Sequence, residues 1–208
     1  MTPEQPLILD LTPASDADLI ASARTLLLDY GRFVVSHPAA ARFCLASLEE
    51  EAAGLPNSYF DIGGGSLVAL IAGQPSGFVA WRPAPGPLAT HSWELKRLWI
   101  PPIARGSGLG RILTRSVLDR AHAAGRKAVY LDTVPAAMPA AHRLYLNMGF
   151  TACAAYNDNP IPDLAYLVKH LVRHRSQPIT TPLVSPIFPL LSPALDVNSY
   201  VNISYSGC

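Results

Sequence analysis

A glycine-rich turn constrains the fold of this chain more than any other feature. The sequence Arg105-Gly106-Ser107-Gly108-Leu109-Gly110 lies between a strand candidate, residues 91–100, and an amphipathic helix candidate, residues 108–124. Such a turn brings backbone N–H groups together at the positive end of a helix dipole, where a phosphate binds well. A flexible turn without a ligand would use the same glycines, so the six residues alone leave both interpretations open.

Two well-known phosphate-binding loops fit this turn poorly. A Walker loop requires G-x-x-x-x-G-K-[ST], and neither that spacing nor the lysine is present. The dinucleotide fingerprint G-x-G-x-x-G would require glycine where Arg111 stands. Asp132 ends the next predicted strand and imitates a ribose-binding acid, but residues 91–97 are too polar for a strand buried on both faces. A nucleotide-dependent oxidoreductase therefore stays a minor alternative.

Length and composition predict one folded domain. The chain has 208 residues, of which 50% are hydrophobic and 15% charged, and this excludes disorder over most of its length. No apolar run is long enough to span a bilayer and the first residues lack a signal-peptide pattern, so we expect a cytoplasmic protein that binds no membrane. The three cysteines are widely spaced, which predicts reduced thiols: Cys44, Cys153 and Cys208. Three histidines lack partners at metal-ligand spacing, so no metal is expected: His91, His122 and His142.

The net charge of +1 conceals an uneven distribution along the chain. Residues 1–90 carry four Arg or Lys and nine Asp or Glu, whereas residues 91–175 carry twelve and five. This basic half suits an anionic ligand or a solvated basic surface, and charge alone does not choose between them. Nucleic acid is not an expected partner, because the arginines are scattered without interleaved aromatic residues.

Hydrophobic periodicity predicts a single α/β domain with a mixed sheet over residues 1–175. The predicted order is β-α-α-β-β-β-α-β-α-β-β, with the first helix capped by Thr12 or Ser15 and a hairpin that turns at residues 73–76. Residues 176–208 contain five Pro, six Ser and one charged residue, and this composition predicts a weakly ordered tail.

Three motifs together resemble the GNAT superfamily of acyl-CoA-dependent N-acetyltransferases. They are Arg105-x-x-Gly108-x-Gly110, the preceding E-L-K-R-L-W-I of residues 94–100, and the L-Y-x-x-x-G-F of residues 144–150. The resemblance covers about residues 6–172. Y-L-D-T at 130–133 and Y-N-D-N-P at 156–160 make it closest to a microbial group of small-molecule type.

The resemblance implies a central mixed sheet that is splayed into a V and flanked by helices, with acetyl-CoA as co-substrate in the V. A primary amine of a small molecule or peptide would attack the thioester directly, in a protein that is a monomer or homodimer. The rival from another class is an acyl-CoA-binding module without turnover. The residues implied to bind the cofactor lie on the central strand and the turn: Leu98, Trp99, Ile100, Arg105, Gly106, Ser107, Gly108, Leu109, Gly110 and Arg111.

The resemblance also implies how the thioester is held and attacked. Backbone N–H groups at an interruption of the central strand would bind the carbonyl. Polar Glu94 and apolar Leu98 would lie on the same face of an unbroken strand, and a bulge between them would explain this mixture. Met138 stands where many members place an asparagine that contacts the cofactor. Asp132 and Thr133 are expected to organise a strand end.

Two side chains are candidates for the proton transfers. Tyr145 is the candidate acid, because a phenol can protonate or hydrogen-bond a departing thiolate, although periodicity alone favours a core tyrosine. Glu94 is the candidate base, acting directly or through water, with an exposed strand carboxylate as the alternative. Candidate residues on the acceptor side are chosen by position only: Tyr59, Phe60, Tyr156, Asn157, Asp158 and Asn159.

Overall fold

A computed structural model describes residues 5–40 and 45–171, so the predicted tail of residues 176–208 lies outside the described residues. Within those ranges seven strands are present: β1 (Leu7–Leu11), β2 (Gly65–Ile71), β3 (Gln74–Pro83), β4 (Ser92–Trp99), β5 (Ala128–Thr133), β6 (Thr151–Ala152) and β7 (Ala165–His170). They form one sheet in the order β1-β2-β3-β4-β5-β7-β6. The β4–β5 pair is parallel and the other five pairs are antiparallel, so the sheet is mixed, as predicted.

Five α-helices flank this sheet in the described ranges: α1 (Ala17–Val35), α2 (Leu45–Ala53), α3 (Asn57–Phe60), α4 (Leu109–Ala123) and α5 (Pro139–Asn147). Successive residues of a strand point to opposite faces, and the core follows this alternation. Val68 and Phe78 pack in a cluster with α1 and α2, whereas their neighbours Leu67 and Val79 pack in a cluster with α4. No helix in the described ranges is long and apolar enough to cross a membrane.

The first helix is capped by a residue other than the predicted ones. The Asp16 side chain accepts a hydrogen bond from the N–H of Asp18 and caps α1. Thr12 and Ser15 instead form the turn before it, in which the Ser15 N–H donates to the Thr12 carbonyl at 2.9 Å. Asp, Ser and Thr all cap helices well, so composition alone did not separate these three positions.

The predicted hairpin is present, but its turn is shorter than expected. Ala72 and Gly73 form a two-residue connection, both with left-handed φ (49° and 73°), and β3 begins at Gln74. Two such residues match the twist of the paired strands. Residues 57–60, for which no helix was predicted, form the short helix α3.

Strand β4 contains the bulge that its polarity pattern predicts. Ala80 of β3 pairs with Lys96, but Phe78 pairs with Trp99, so two residues of β4 face one of β3. Arg97, one of those two residues, has a φ of 59°, which is unusual for a residue with a Cβ.

A buried ion pair anchors this bulge to the helical layer. Arg97 donates from Nε and Nη2 to the two carboxylate oxygens of Glu51 in α2, at 3.1 and 2.9 Å. The hydroxyl of Tyr59, in α3, also donates to Glu51. Burial raises the pKa of Glu51, but the charge and hydrogen bonds of Arg97 outweigh burial, so the pKa lies below its ordinary value. The sequence places Tyr59 on the acceptor side, whereas its hydroxyl is bound within this anchor.

We expect Glu51→Gln to lower the free energy of unfolding by about 3 kcal/mol, because it removes the carboxylate charge that balances buried Arg97. Urea denaturation measures this loss, and Glu50→Gln, an exposed neighbour in the same helix, should leave stability unchanged.

The pH dependence gives an independent check on the same ion pair. A carboxyl whose pKa is lowered by folding stabilises the fold above the unfolded pKa of about 4.3, and this contribution is lost as the pH falls below that value. The stability of Glu51→Gln should therefore fall less steeply below pH of about 4 than that of the parent. Identical slopes would show that Glu51 is not held ionised by Arg97.

Candidate active site

Strands β4 and β5 diverge after three residue pairs. Residues 92–94 pair with residues 128–130, and the pairing ends there. Beyond that point β4 continues to Trp99 against β3, and β5 continues to Thr133 against β7. The two strands thus form the two sides of a V-shaped cleft, as the family resemblance implies.

A cavity of about 30 Å³ occupies this cleft. Its lining comes from both strands and from the helices α1 and α5: Tyr30, Leu95, Lys96, Arg97, Leu98, Asp132, Thr133, Met138 and Tyr145. The predicted acid Tyr145, the predicted cofactor residue Leu98 and the unusual Met138 are therefore brought together. A larger cavity of about 270 Å³ lies between α1 and α2 and contains none of the predicted site residues.

Tyr145 lies at the cleft with only 5% of its surface exposed. Its ring meets the ring of Phe150 edge to face, with the centroids 5.6 Å apart. Burial raises the pKa of the Tyr145 phenol well above its ordinary value, and the charges of Tyr30 and Asp132 act in the same direction. The phenol is therefore protonated at neutral pH and serves as a hydrogen-bond donor.

Glu94, at the point where the strands diverge, is fully buried. Its carboxylate accepts hydrogen bonds from Arg82 Nε at 2.7 Å, Tyr156 Oη at 3.0 Å, Asn157 Nδ2 at 3.3 Å and Lys96 Nζ at 3.5 Å. The alternative of an exposed strand carboxylate is therefore wrong. Its role as the base stays a prediction.

The surroundings of Glu94 favour its ionised form. Burial raises the pKa of this carboxyl, but the positive charges of Lys96 and Arg82 outweigh burial and lower the pKa below its ordinary value. A carboxylate with a lowered pKa accepts a proton less readily than a free glutamate, so direct removal of a proton from an ammonium is energetically unfavourable.

Asp132 faces Glu94 from the other side of the cleft. Its Oδ2 accepts hydrogen bonds from Asn157 Nδ2 at 2.8 Å and from Asn159 Nδ2 at 3.1 Å. Burial raises the pKa of Asp132, whereas Lys96 and the two amides lower it, with a net decrease. Because Asn157 contacts both carboxylates, it bridges β4 and β5 across the point of divergence.

The predicted acceptor-side residues separate into three groups. Tyr156, Asn157 and Asn159 join the carboxylates as described. Phe60 and Asp158 are exposed on the surface, and Tyr59 belongs to the Glu51 anchor.

Sequence reasoning missed Arg82 and Lys96 as members of the site. Arg82 reaches Glu94 because the two residues are register partners in β3 and β4, and that register is not visible in the sequence. Lys96 is two residues from Glu94 and therefore on the same strand face, so it could have been found from spacing.

The glycine-rich turn has the geometry that an anion site requires. Gly106 and Gly108 have φ of 81° and 83°, which residues with a Cβ rarely adopt. The first N–H of α4 to find a helical acceptor is that of Arg111, which donates to the Gly108 carbonyl at 3.0 Å. Within residues 5–40 and 45–171, no acceptor is present for the N–H groups of residues 107–110. These four donors lie at the positive end of the helix dipole.

Side chains around the turn fasten it to the sheet. Arg105 Nε donates to the Ile100 carbonyl at 3.1 Å, and its guanidinium lies 5.2 Å from the ring centroids of both Phe33 and Trp99. Trp99 itself packs in the core beneath α1. Arg111 is exposed at the first turn of α4. Contact of either arginine with a phosphate stays a prediction.

Metal-ligating side chains do not gather anywhere in the described ranges. No group of three or more His, Cys, Asp or Glu residues there is placed to hold a metal ion.

Comparison with known proteins agrees with this geometry. The model of the acetyltransferase (GNAT) family matches residues 26–150. An N-acetyltransferase of Schizosaccharomyces pombe is 36% identical over 95 residues, which are 46% of this chain and 56% of that protein. The match thus spans about half the length of this curated relative.

Solved structures show the same fold. An acetyltransferase from Streptococcus agalactiae has a TM-score of 0.63 and 21% identity, over 80% of this chain and 98% of that one. A Salmonella typhimurium protein determined with its cofactor acetyl-CoA has a TM-score of 0.58 and 19% identity, over 82% and 96%. The family match covers more than half of the sequence, and we conclude that this chain belongs to the GNAT family of acetyltransferases.

Proposed function

We propose that this protein transfers an acetyl group from acetyl-CoA to a primary amine of a small molecule or peptide. The observation that carries the proposal is the divergence of β4 and β5 beside Tyr145 and Glu94, next to a turn with unpaired N–H groups. The acetyl-CoA in the Salmonella typhimurium structure supports the choice of co-substrate. The amine acceptor is inferred from the N-acetyltransferase names of the relatives.

The turn and the open edge of β4 supply the binding groups for the co-substrate. The N–H groups of residues 107–110 are suited to the pyrophosphate, which the helix dipole of α4 also favours. A Cβ at Gly110 would lie 3.1 Å from Leu144 Cδ2, so a side chain there would require Leu144 to shift by a few tenths of an ångström. Residues 95–98 line the cleft on the edge where β5 no longer pairs, so backbone groups of β4 are open to a ligand.

Tyr145 acts on the sulfur when the acetyl group is transferred. The amine nitrogen forms a bond to the carbonyl carbon, the C–S bond then breaks, and its electron pair stays on sulfur. The raised pKa of Tyr145 makes complete proton transfer to a thiolate uphill, so the phenol stabilises the departing sulfur by donating a hydrogen bond.

Glu94 assists the loss of a proton from the amine through water. The positive charges of Lys96 and Arg82 hold its carboxylate ionised, and Tyr156 and Asn157 also donate hydrogen bonds to it. Relay through water lets the proton reach solvent without resting on a carboxyl of lowered pKa.

We expect Gly108→Glu to weaken acetyl-CoA binding at least tenfold in calorimetry, because it places a negative charge among the donors of the turn. Gly125→Glu is a matched control, since Gly125 also has a positive φ with open space but lies beyond the other end of α4. Parent-like affinity in Gly108→Glu, or equal loss in both variants, would contradict the phosphate site.

We expect Tyr145→Phe to bind acetyl-CoA as the parent does, because the ring still packs, but to lower the turnover number by about tenfold to a thousandfold. Steady-state thiol release with an amine acceptor measures this. An unchanged turnover number would remove Tyr145 from the chemical step, and acetyl-CoA binding without turnover on any amine would favour the binding module.

We expect the turnover of Glu94→Gln to fall most at low pH, where the amine is protonated, and to approach the parent as the pH nears the amine's pKa. Thiol release is measured against pH for both proteins, with thermal denaturation to establish that the variant is folded. A loss of equal size at every pH would make Glu94 a binding or positioning group.

A further inference from the structure

Lys96 carries a buried charge that the described protein pairs incompletely. Its side chain is only 10% exposed. An ammonium has three N–H donors, yet a single hydrogen bond of Lys96 Nζ is present in the described ranges, to Glu94 Oε1 at 3.5 Å. That distance is at the long end for a hydrogen bond between charged groups. Most of the donor capacity of Lys96 is therefore available to a ligand.

The neighbouring carboxylates are occupied by closer donors. Glu94 accepts from Arg82, Tyr156 and Asn157 at 2.7 to 3.3 Å, all shorter than its contact with Lys96. Asp132 Oδ2 accepts hydrogen bonds from two amides. In the described part of the chain, Lys96 Nζ forms an ion pair within 4.0 Å with Glu94 and not with Asp132. Lys96 is also one of the residues that line the cleft cavity, so a group bound there would lie beside it.

The size of the cavity limits what that group is. A cavity of about 30 Å³ suits a compact group, such as the end of a longer ligand that enters from the cleft. Tyr145, the residue assigned to the thioester sulfur, lines the same cavity. The acetyl end of the thioester meets both requirements, and its carbonyl oxygen has lone pairs that accept hydrogen bonds.

We propose that Lys96 is a further catalytic residue, which binds the acetyl oxygen and stabilises its negative charge in the tetrahedral intermediate. This inference rests on the proposed function. As the amine nitrogen bonds to the carbonyl carbon, the C=O π pair moves onto oxygen, and Lys96 donates a hydrogen bond to that oxygen. When the C–S bond breaks, the pair returns to the carbonyl, and Lys96 keeps its proton throughout.

The surroundings keep Lys96 charged for this role. Burial lowers the pKa of its ammonium, but Glu94 and Asp132 outweigh burial and raise the pKa above its ordinary value, despite Arg97 and Arg82 nearby. A fixed charge in a site that excludes water stabilises developing charge more strongly than one in solvent. Glu94 and Asp132 thus keep Lys96 protonated, and in the proposed function they also face the acceptor.

Infrared difference spectroscopy with acetyl-CoA carrying ¹³C at the thioester carbonyl tests this directly. In the parent, the carbonyl band of bound acetyl-CoA should lie at lower wavenumber than in free acetyl-CoA, because a cation polarises the bond. Lys96→Gln should lose most of that shift, and Lys96→Arg should retain part of it. Lys127→Gln, at an exposed lysine just before β5, is the control and should match the parent.

The turnover number gives a second readout, measured with an amine that the parent acetylates. Lys96→Gln should lower the turnover number about 100-fold or more, the usual cost of removing one donor to an oxyanion. Its affinity for CoA, which lacks the acetyl oxygen, should stay within about twofold of the parent. Lys96→Arg, which keeps the charge, should recover part of the turnover.

The outcomes separate this inference from the proposed function. A parent that fails to bind acetyl-CoA overturns both. A parent that binds it, with the same carbonyl band in Lys96→Gln, overturns the role of Lys96 alone. If Lys96→Gln does not fold, Lys96→Arg and the double variant Glu94→Gln/Lys96→Gln, which keeps the net charge, are measured instead. An unchanged band in the folded double variant again overturns the role of Lys96.

Discussion

The early end of the pairing between β4 and β5 is the constraint on which the rest of the structure depends. Parallel strands that stop pairing leave backbone groups and buried side chains without partners, and each of these must be satisfied in another way. Here most of the charged side chains pair with one another, whereas Lys96 keeps donors for a ligand. Glu94 and Asp132 lie on opposite sides of the opening, Lys96 and Arg82 balance their charge, and Asn157 connects them.

The Glu51 anchor solves a related problem on the other edge of β4. The bulge leaves Arg97 in a left-handed conformation that costs free energy, and such strain persists only when the surroundings hold it. Glu51 in α2 binds the Arg97 guanidinium, and Tyr59 in α3 donates a hydrogen bond to Glu51. Helices α2 and α3 therefore contribute to the shape of the cleft without lining it.

Much of the fold could be predicted from the sequence, and less of the site. Periodicity and the glycines located the strands and the turn before α4, because these depend on neighbouring residues, whereas the family resemblance pointed to Tyr145. The partners of Glu94 depend on register and on a distant loop: Arg82 is opposite in β3, and Asn157 is 63 residues away. Spacing along the chain carries no information about such contacts. The helix cap was assigned to Thr12 or Ser15 instead of Asp16 because several residues of suitable chemistry lie next to one another there.

The loop between β6 and β7 differs from most surface loops because its Asn157 contacts two carboxylates of the sheet. Loops on a protein surface ordinarily tolerate changes in sequence and length. In this protein Tyr156 and Asn157 donate hydrogen bonds to Glu94, and Asn157 and Asn159 help to lower the pKa of Asp132, whereas Asp158 is exposed between them. Replacing this loop with another sequence would change the electrostatics of the proposed chemical step together with the residues on the acceptor side. Position 158 is the place in this stretch where variation leaves those electrostatics intact.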